Sequence, residues 1–354
     1  MLESRLKLEA TALGFSLSGI APATEVDSFP LFERWLDAGY AGEMHYLQKH
    51  RDQRRDPESI LPACRSVLML GYEYAPPSTI PLPPSRGRVA AYARGPDYHT
   101  VIRERLNTLA SWLMHESPGC YARGVVDTAP LLERDFARRA GLGWIGKNTM
   151  LIHPQRGSFF LLAAVVTDLE LTADEPFTAN HCGTCTACLD ACPTQAFPQP
   201  GTLDATKCIS YLTIEHRSAI PLDLRPDVGD WLHGCDVCQT VCPWNRFAGQ
   251  AVALPSDPAL ETLDCVELLT LTEAQFRDRF RETALFRDKR RGLLRNACIV
   301  LGNTGDTSAL SALNVAKNDP EELIAEAAAW AVEQIRGRPL SPQRGVGRNL
   351  WSRN

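Results

Sequence analysis

Eight of the twelve cysteines fall in two runs that each close on Cys-Pro. The first is Cys182-Gly-Thr-Cys185-Thr-Ala-Cys188-Leu-Asp-Ala-Cys192-Pro193, and the second is Cys208 followed by Cys235-Asp-Val-Cys238-Gln-Thr-Val-Cys242-Pro243. The spacing C-x2-C-x2-C-x3-C-P sets three thiolates around one face of a [4Fe-4S] cube and sends the fourth to a second cube. This crossed rule gives one cluster Cys182, Cys185, Cys188 and Cys242, and the other Cys192, Cys208, Cys235 and Cys238, with none left over. Structural zinc also takes four thiolates, but from two separated pairs. Three cysteines at consecutive x2 spacing followed by x3-Cys-Pro favour iron–sulfur. The charged, amphipathic start (Met1-Leu-Glu-Ser-Arg-Leu-Lys) does not read as a secretory signal. The expected compartment is therefore cytoplasmic, where clustered cysteines are metal ligands and not bridges. Cys64, Cys120, Cys265 and Cys298 read as ordinary structural residues. A chain with two such clusters conducts single electrons, so its other residues must give those electrons a destination.

About 175 residues precede the clusters, too many for an electron carrier alone. They alternate helix and strand signals without strict βαβ order, which predicts an α+β class. A helix is expected over 2–13, strands over 66–74 and 88–92, a long helix over 98–115 and a strand over 121–127. A helix starting near Pro130 and strands over 149–153 and 159–168 complete the region. Residues 176–250 hold the clusters in short helices and turns, and 258–337 read as all helix. The expected domains are 1–175, 176–250 and 251–354. No apolar run approaches the ~20 residues of a membrane helix. With a net charge of −5, the whole chain is not a basic nucleic-acid binder. Charge is uneven, however: eight basic residues face three acidic ones between Arg277 and Arg295, and Arg344, Arg348 and Arg353 add a basic tail. Such an end can hold a polyanion, or it can be a solvated helix face expected to point outward.

Two further features bear on chemistry. Gly141-Leu-Gly143-Trp-Ile-Gly146 matches the dinucleotide fingerprint in letters but follows a helix and runs towards a strand, the reverse of the required context. It reads as a tight turn, with Lys147 and Asn148 as polar groups for a cofactor. Asp127 ends the apolar strand Gly124-Val-Val-Asp127 ahead of Thr128-Ala-Pro130. A carboxylate there is aimed at a crevice as a general acid, or it caps the next helix.

The chain resembles the epoxyqueuosine reductase family. The segments that carry this are Tyr92-Ala-Arg-Gly-Pro-Asp-Tyr-His99, Val126-Asp-Thr-Ala-Pro-Leu-Leu-Glu-Arg134, Gly141 to Asn148, the cluster runs, Cys208-Ile-Ser-Tyr-Leu-Thr-Ile-Glu-His-Arg217 and Gly234 to Asn245. The resemblance implies a nitroreductase-like cobalamin domain, a ferredoxin-like two-cluster domain and a C-terminal HEAT-like repeat. It implies reduction of epoxyqueuosine to queuosine in the tRNA anticodon loop, the last step of queuosine biosynthesis. Its cofactors would be two [4Fe-4S] clusters and cobalamin, its partners tRNA and a low-potential electron donor, and its state a monomer.

The resemblance makes Asp127 the proton donor and a cofactor contact. It places Ser210, Leu212, Asp236, Gln239 and Leu151 by the corrin, Arg217 by the tRNA, and Arg287, Lys289, Arg290, Arg291 and Arg295 on phosphates. The cobalamin motif D-x-H-x-x-G is broken: Ile102 stands in the glycine position after Asp97-Tyr-His99, so His99 is expected in the core or at the surface and not on cobalt. Reductive dehalogenase and a bare electron-transfer subunit are the competing readings.

Overall fold

The computed structural model describes residues 1–78 and 81–337. Nine strands occur among the described residues: β1 (Leu17–Pro22), β2 (Ser66–Glu73), β3 (Arg86–Val89), β4 (Ala122–Val125), β5 (Trp144–Ile145), β6 (Leu151–Ile152), β7 (Phe160–Thr167), β8 (Trp231–His233) and β9 (Thr262–Asp264). β1, β2, β7 and β4 lie side by side in that order, every pair antiparallel. The class is mixed α+β, as the irregular order of signals predicts.

Both faces of this sheet are covered, and the two-residue side-chain period sorts the strands between them. On one face Leu68, Leu70, Tyr72, Ala163 and Val165 meet the helices Leu2–Ala12 and Tyr98–Glu116. On the other, Val67, Met69, Ala164 and Val166 meet Phe29 and the helix Glu133–Arg139. All eight residues of β2 are buried, so no polar face was needed in its sequence. The helix Tyr98–Glu116 packs closely on β4. A Cβ at Gly124 would come within 2.5 Å of Leu106 Cβ, so only glycine allows this approach.

A second sheet, ordered β8-β3-β9, takes one strand from each third of the chain: β3 pairs parallel with β8 and antiparallel with β9. One hydrophobic core runs through all three segments, from Leu6 to Ile335. β9 corrects the expectation of unbroken helix over 258–337. A second correction concerns the helix expected near Pro130, which begins at Glu133. The residue before a proline favours extended backbone, and the chain stays non-helical through Leu132.

The third correction is the basic helix. Lys289–Thr304 does not face outward; Gly292 to Gly302 are buried without a break. It packs against the helix Glu322–Gly337 so tightly that a Cβ at Gly302 would sit 3.0 Å from Ala331 Cα. Only its first turn, with Lys289 and Arg291, is exposed. Arg344, Arg348 and Arg353 lie outside the described residues. No described helix is long and apolar enough to cross a membrane.

Candidate active site

Asp127 sits just past the end of β4 with φ +52°, a left-handed backbone unusual for a side-chain-bearing residue. The amide of Thr128 reaches back to the Val126 carbonyl, so the chain makes a three-residue turn centred on the aspartate. The helix begins six residues later, so Asp127 does not cap it. Holding this turn costs about 1–3 kcal/mol. Contacts from three segments oppose that cost. The Asp127 amide donates to Glu133 Oε1 at 2.9 Å. Its Oδ2 accepts from His99 Nε2 at 2.9 Å, the Tyr98 hydroxyl at 3.2 Å and Arg287 Nη1 at 3.3 Å.

Tyr98 and His99 open the helix Tyr98–Glu116. Its N-cap, Asp97, accepts from the His99 amide at 3.0 Å and lies 2.7 Å from His99 Nδ1. Burial pushes the Asp127 carboxyl up, but the His99 hydrogen bond and charge, the Arg287 charge and the Tyr98 hydroxyl outweigh it and hold it at about 2. Burial, helped by the Asp127 charge, pushes Glu133 up to about 7. Adjacent carboxyls thus have separated protonation states, the usual arrangement for proton transfer. The Asp127 side chain remains 47% exposed, open to a reacting molecule.

Cys182, Cys185, Cys188 and Cys242 line one cavity, together with Lys147, Asn148, Ile152 and Trp244. That is the donor set for one cube, fitted as the crossed rule requires. Burial and neighbouring thiols push the Cys235 and Cys238 thiols up, Cys208 being among the neighbours of both.

The other expected cofactor residues divide. Lys147 Nζ donates to the carbonyls of Gly183 and Cys185, at 2.7 and 2.8 Å, and Asn148 Nδ2 to that of Cys238 at 3.1 Å. The hairpin β5–β6 therefore clasps both cluster runs, and Trp144 Nε1 lies 3.4 Å from Cys182 Sγ. Asp236 ties its run to the Ala91 amide, and Gln239 donates to Ser158. Leu151 and Leu212 have side chains buried in the cores, Leu212 completely, which leaves their backbone atoms for any corrin contact. Ser210 is half-buried.

The arginines divide as well. Arg295 is corrected: it is 1% exposed and donates to the carbonyls of Leu212, His216 and Ser218. Arg290 is corrected too, since it pairs with Asp319 at 2.6 Å and with the Leu271 carbonyl. Arg287 points at Asp127. Arg217 donates to the Arg287 carbonyl at 3.1 Å and stays half-exposed, while Lys289 and Arg291 are free of the core. Tyr98 and His99 were missed as site residues. Their signal, Asp97-Tyr-His99, stands in a segment that carries the family resemblance and in the broken cobalamin motif, but neither assigns these two a site role.

A pair of cubane sites beside a positioned, proton-handling carboxylate defines an iron–sulfur oxidoreductase. Family models agree. One described as a 4Fe-4S double cluster binding domain matches residues 181–245, and one described as Epoxyqueuosine reductase QueG, DUF1730 matches 54–128. The chain is 42% identical over 330 residues to an epoxyqueuosine reductase of Pseudomonas aeruginosa, covering 91% of each chain. It is 40% identical to that of Xanthomonas campestris, over 94% of this chain and 95% of the relative. A crystal structure of epoxyqueuosine reductase with a tRNA-Tyr epoxyqueuosine-modified stem loop superposes with TM-score 0.88 at 32% identity, covering 94% and 90% of the two chains. A Bacillus subtilis epoxyqueuosine reductase, captured with its catalytic aspartate loop swung out of the active site, gives 0.86 at 31%, again over 94% and 90%. The protein belongs to the epoxyqueuosine reductase family.

Proposed function

We propose that this protein reduces epoxyqueuosine to queuosine in the tRNA anticodon loop, the last step of queuosine biosynthesis. The observation that carries the reading is Asp127, held at a strand end by three donors with its side chain 47% exposed, in a chain whose two cysteine runs supply eight thiolates. The net reaction takes two electrons and two protons and releases an alkene and water. A low-potential donor supplies the electrons through the cluster of Cys182, Cys185, Cys188 and Cys242 and then that of Cys192, Cys208, Cys235 and Cys238.

Cobalamin fits this arrangement without a coordinating side chain, because both ring nitrogens of His99 are taken by Asp97 and Asp127. When bound, it supplies a low-valent cobalt able to open a strained C–O bond. Ser210, half-buried two residues after Cys208, and the exposed edge of Asp127 would hold it. Asp127 gives the departing oxygen its proton, and Arg287 keeps the carboxylate oriented.

In this reading residues 1–175 are the cobalamin domain, 176–250 the ferredoxin-like domain, and the described residues from 251 onward, 251–337, a HEAT-like, RNA-contacting region. Arg217, Lys289 and Arg291 are the cations left to meet phosphate. The reading is tested by anaerobic reconstitution with iron, sulfide and cobalamin, then turnover on an epoxyqueuosine-modified stem loop. About eight iron and one cobalt per chain are expected from two cubes and one corrin. Asp127→Asn should retain both and lose at least about 100-fold in rate. Eight iron without cobalt would leave a bare electron carrier.

A further inference from the structure

Asp127 must give up a proton in the proposed reaction, yet its surroundings hold it as a carboxylate. The proton is found next door. A neutral imidazole has one N–H and one bare nitrogen, so it can donate to one carboxylate only. His99 has a carboxylate oxygen at each nitrogen: Asp97 Oδ1 at 2.7 Å from Nδ1 and Asp127 Oδ2 at 2.9 Å from Nε2. Both contacts are hydrogen bonds only if two protons lie along the line Asp97–His99–Asp127. The line therefore holds one proton more than a neutral imidazole between two carboxylates.

We propose that His99 is the proton reservoir of the site, passing its Nε2 proton to Asp127 Oδ2 as the substrate oxygen departs and being recharged from the Asp97 side. The inference rests on the reading of Asp127 as proton donor. Occupancy gives the direction. His99's side chain is 7% exposed, Asp97 is 30% and Asp127 47% exposed, so a substrate seated on Asp127 leaves Asp97 as the end of the line open to water.

The groups facing the imidazole set its charge. Asp97 and Asp127 favour the cation, Arg287 opposes it, the Tyr98 ring stacks on it at 4.0 Å, and Glu133 stands behind Asp127. Burial pushes the imidazole down, but the hydrogen bonds to Asp127 and Asp97 carry it above its ordinary value. Protons balance simply. The first C–O cleavage consumes one and the departure of hydroxide as water consumes a second, with the two electrons coming from the low-potential donor. Asp127 handles each in turn, and each returns through His99. His99 is thus a positioning and supply residue, and Asp127 alone touches the reacting oxygen.

The test is the pH dependence of single-turnover rate in prereduced holoenzyme with saturating modified stem loop. The wild type should hold a plateau through neutrality until the imidazolium titrates. In His99→Gln the carboxylate must collect its proton from solvent. The rate should fall about 100-fold near neutrality and then about tenfold per pH unit, with KM unchanged. Asp97→Asn removes one carboxylate from the imidazolium and should move the alkaline limb to lower pH while leaving the acid plateau. Nitrogen NMR of the His99 ring in protein without substrate should show both nitrogens protonated at neutral pH.

If Asp127→Asn is inactive but His99→Gln keeps the wild-type rate and profile, the reservoir is refuted and the donor reading stands. If Asp127→Asn remains active, the donor reading itself fails. If His99→Gln does not fold, Asp97→Asn decides, and an unmoved alkaline limb overturns the proposal.

Discussion

Replacing Arg295 with methionine separates the two accounts of the basic segment. The guanidinium is buried and burial pushes it down to about 10, yet it stays charged because every edge is occupied. It donates to the Leu212 carbonyl at 2.6 Å, those of His216 and Ser218 at 2.8 and 2.7 Å, and Asn296 Oδ1 at 2.9 and 3.0 Å. Methionine fills the space and donates nothing. The His216 and Ser218 carbonyls are partly exposed and can turn to water. The Leu212 carbonyl and the Asn296 oxygen are buried and are left unpaired, at about 1–3 kcal/mol each. Removing a buried cation returns part of this, which leaves about 2–4 kcal/mol of destabilisation. An unfolding entropy of about 2.1 cal/mol/K per residue makes this a fall of about 3–5 °C in Tm for the full chain. Calorimetry of the holoprotein measures it, and salt titration of stem-loop binding supplies the contrast. A structural arginine lowers Tm and leaves the salt slope alone. A variant that melts like the wild type but binds RNA with a slope smaller by about one would refute the assignment.

Arg291→Ala should do the opposite, keeping Tm within about 1 °C while weakening stem-loop binding and reducing the salt slope by about one, since the side chain is exposed at the first turn of its helix. Trp144→Phe removes the N–H directed at Cys182 Sγ. Loss of a hydrogen bond to a cluster sulfur leaves negative charge there less stabilised, so potentiometric EPR should find the potential of that cluster more negative and the other cluster's unchanged. An unmoved potential would mean that the indole only packs.

What was legible in the sequence depended on how local the determining physics is. The cluster ligands follow from spacing alone, because three thiolates within seven residues can face one cube without help from the rest of the fold. Asp127 was legible as a strand end followed by a proline. Its exclusion as a cap was not, because the helix start is set by Pro130 and Leu132 and not by the carboxylate. Arg295 shows the other limit. The residue that decides its role, Leu212, lies 83 positions away, and a run of basic letters looks the same whether its guanidinium groups meet phosphate or backbone carbonyls. β9 was hidden for the same reason, since a three-residue strand acquires its identity only from pairing with Arg86–Arg88. His99 lies in the core, one of the two places expected, but its pairing with Asp127 was not legible because that carboxylate lies 28 positions away.

Arg287 ties the segment proposed to meet RNA into the same core as the cluster ligands. Its side chain ends on Asp127, and its carbonyl accepts from Arg217, which follows the helix that begins after Cys208. Its neighbour Asp288 bonds His233 Nδ1 at 2.8 Å, at the end of the strand leading into Cys235. A displacement of the segment that carries Lys289 and Arg291 would therefore be felt at the carboxylate through one side chain, without an intervening loop. The strained turn at Asp127 makes this consequential. With φ at +52° the turn needs all its donors, and Arg287 is the one of the three that does not come from the helix Tyr98–Glu116. The position of the carboxylate proposed as proton donor is thus tied, through Arg287, to the segment that carries Lys289 and Arg291.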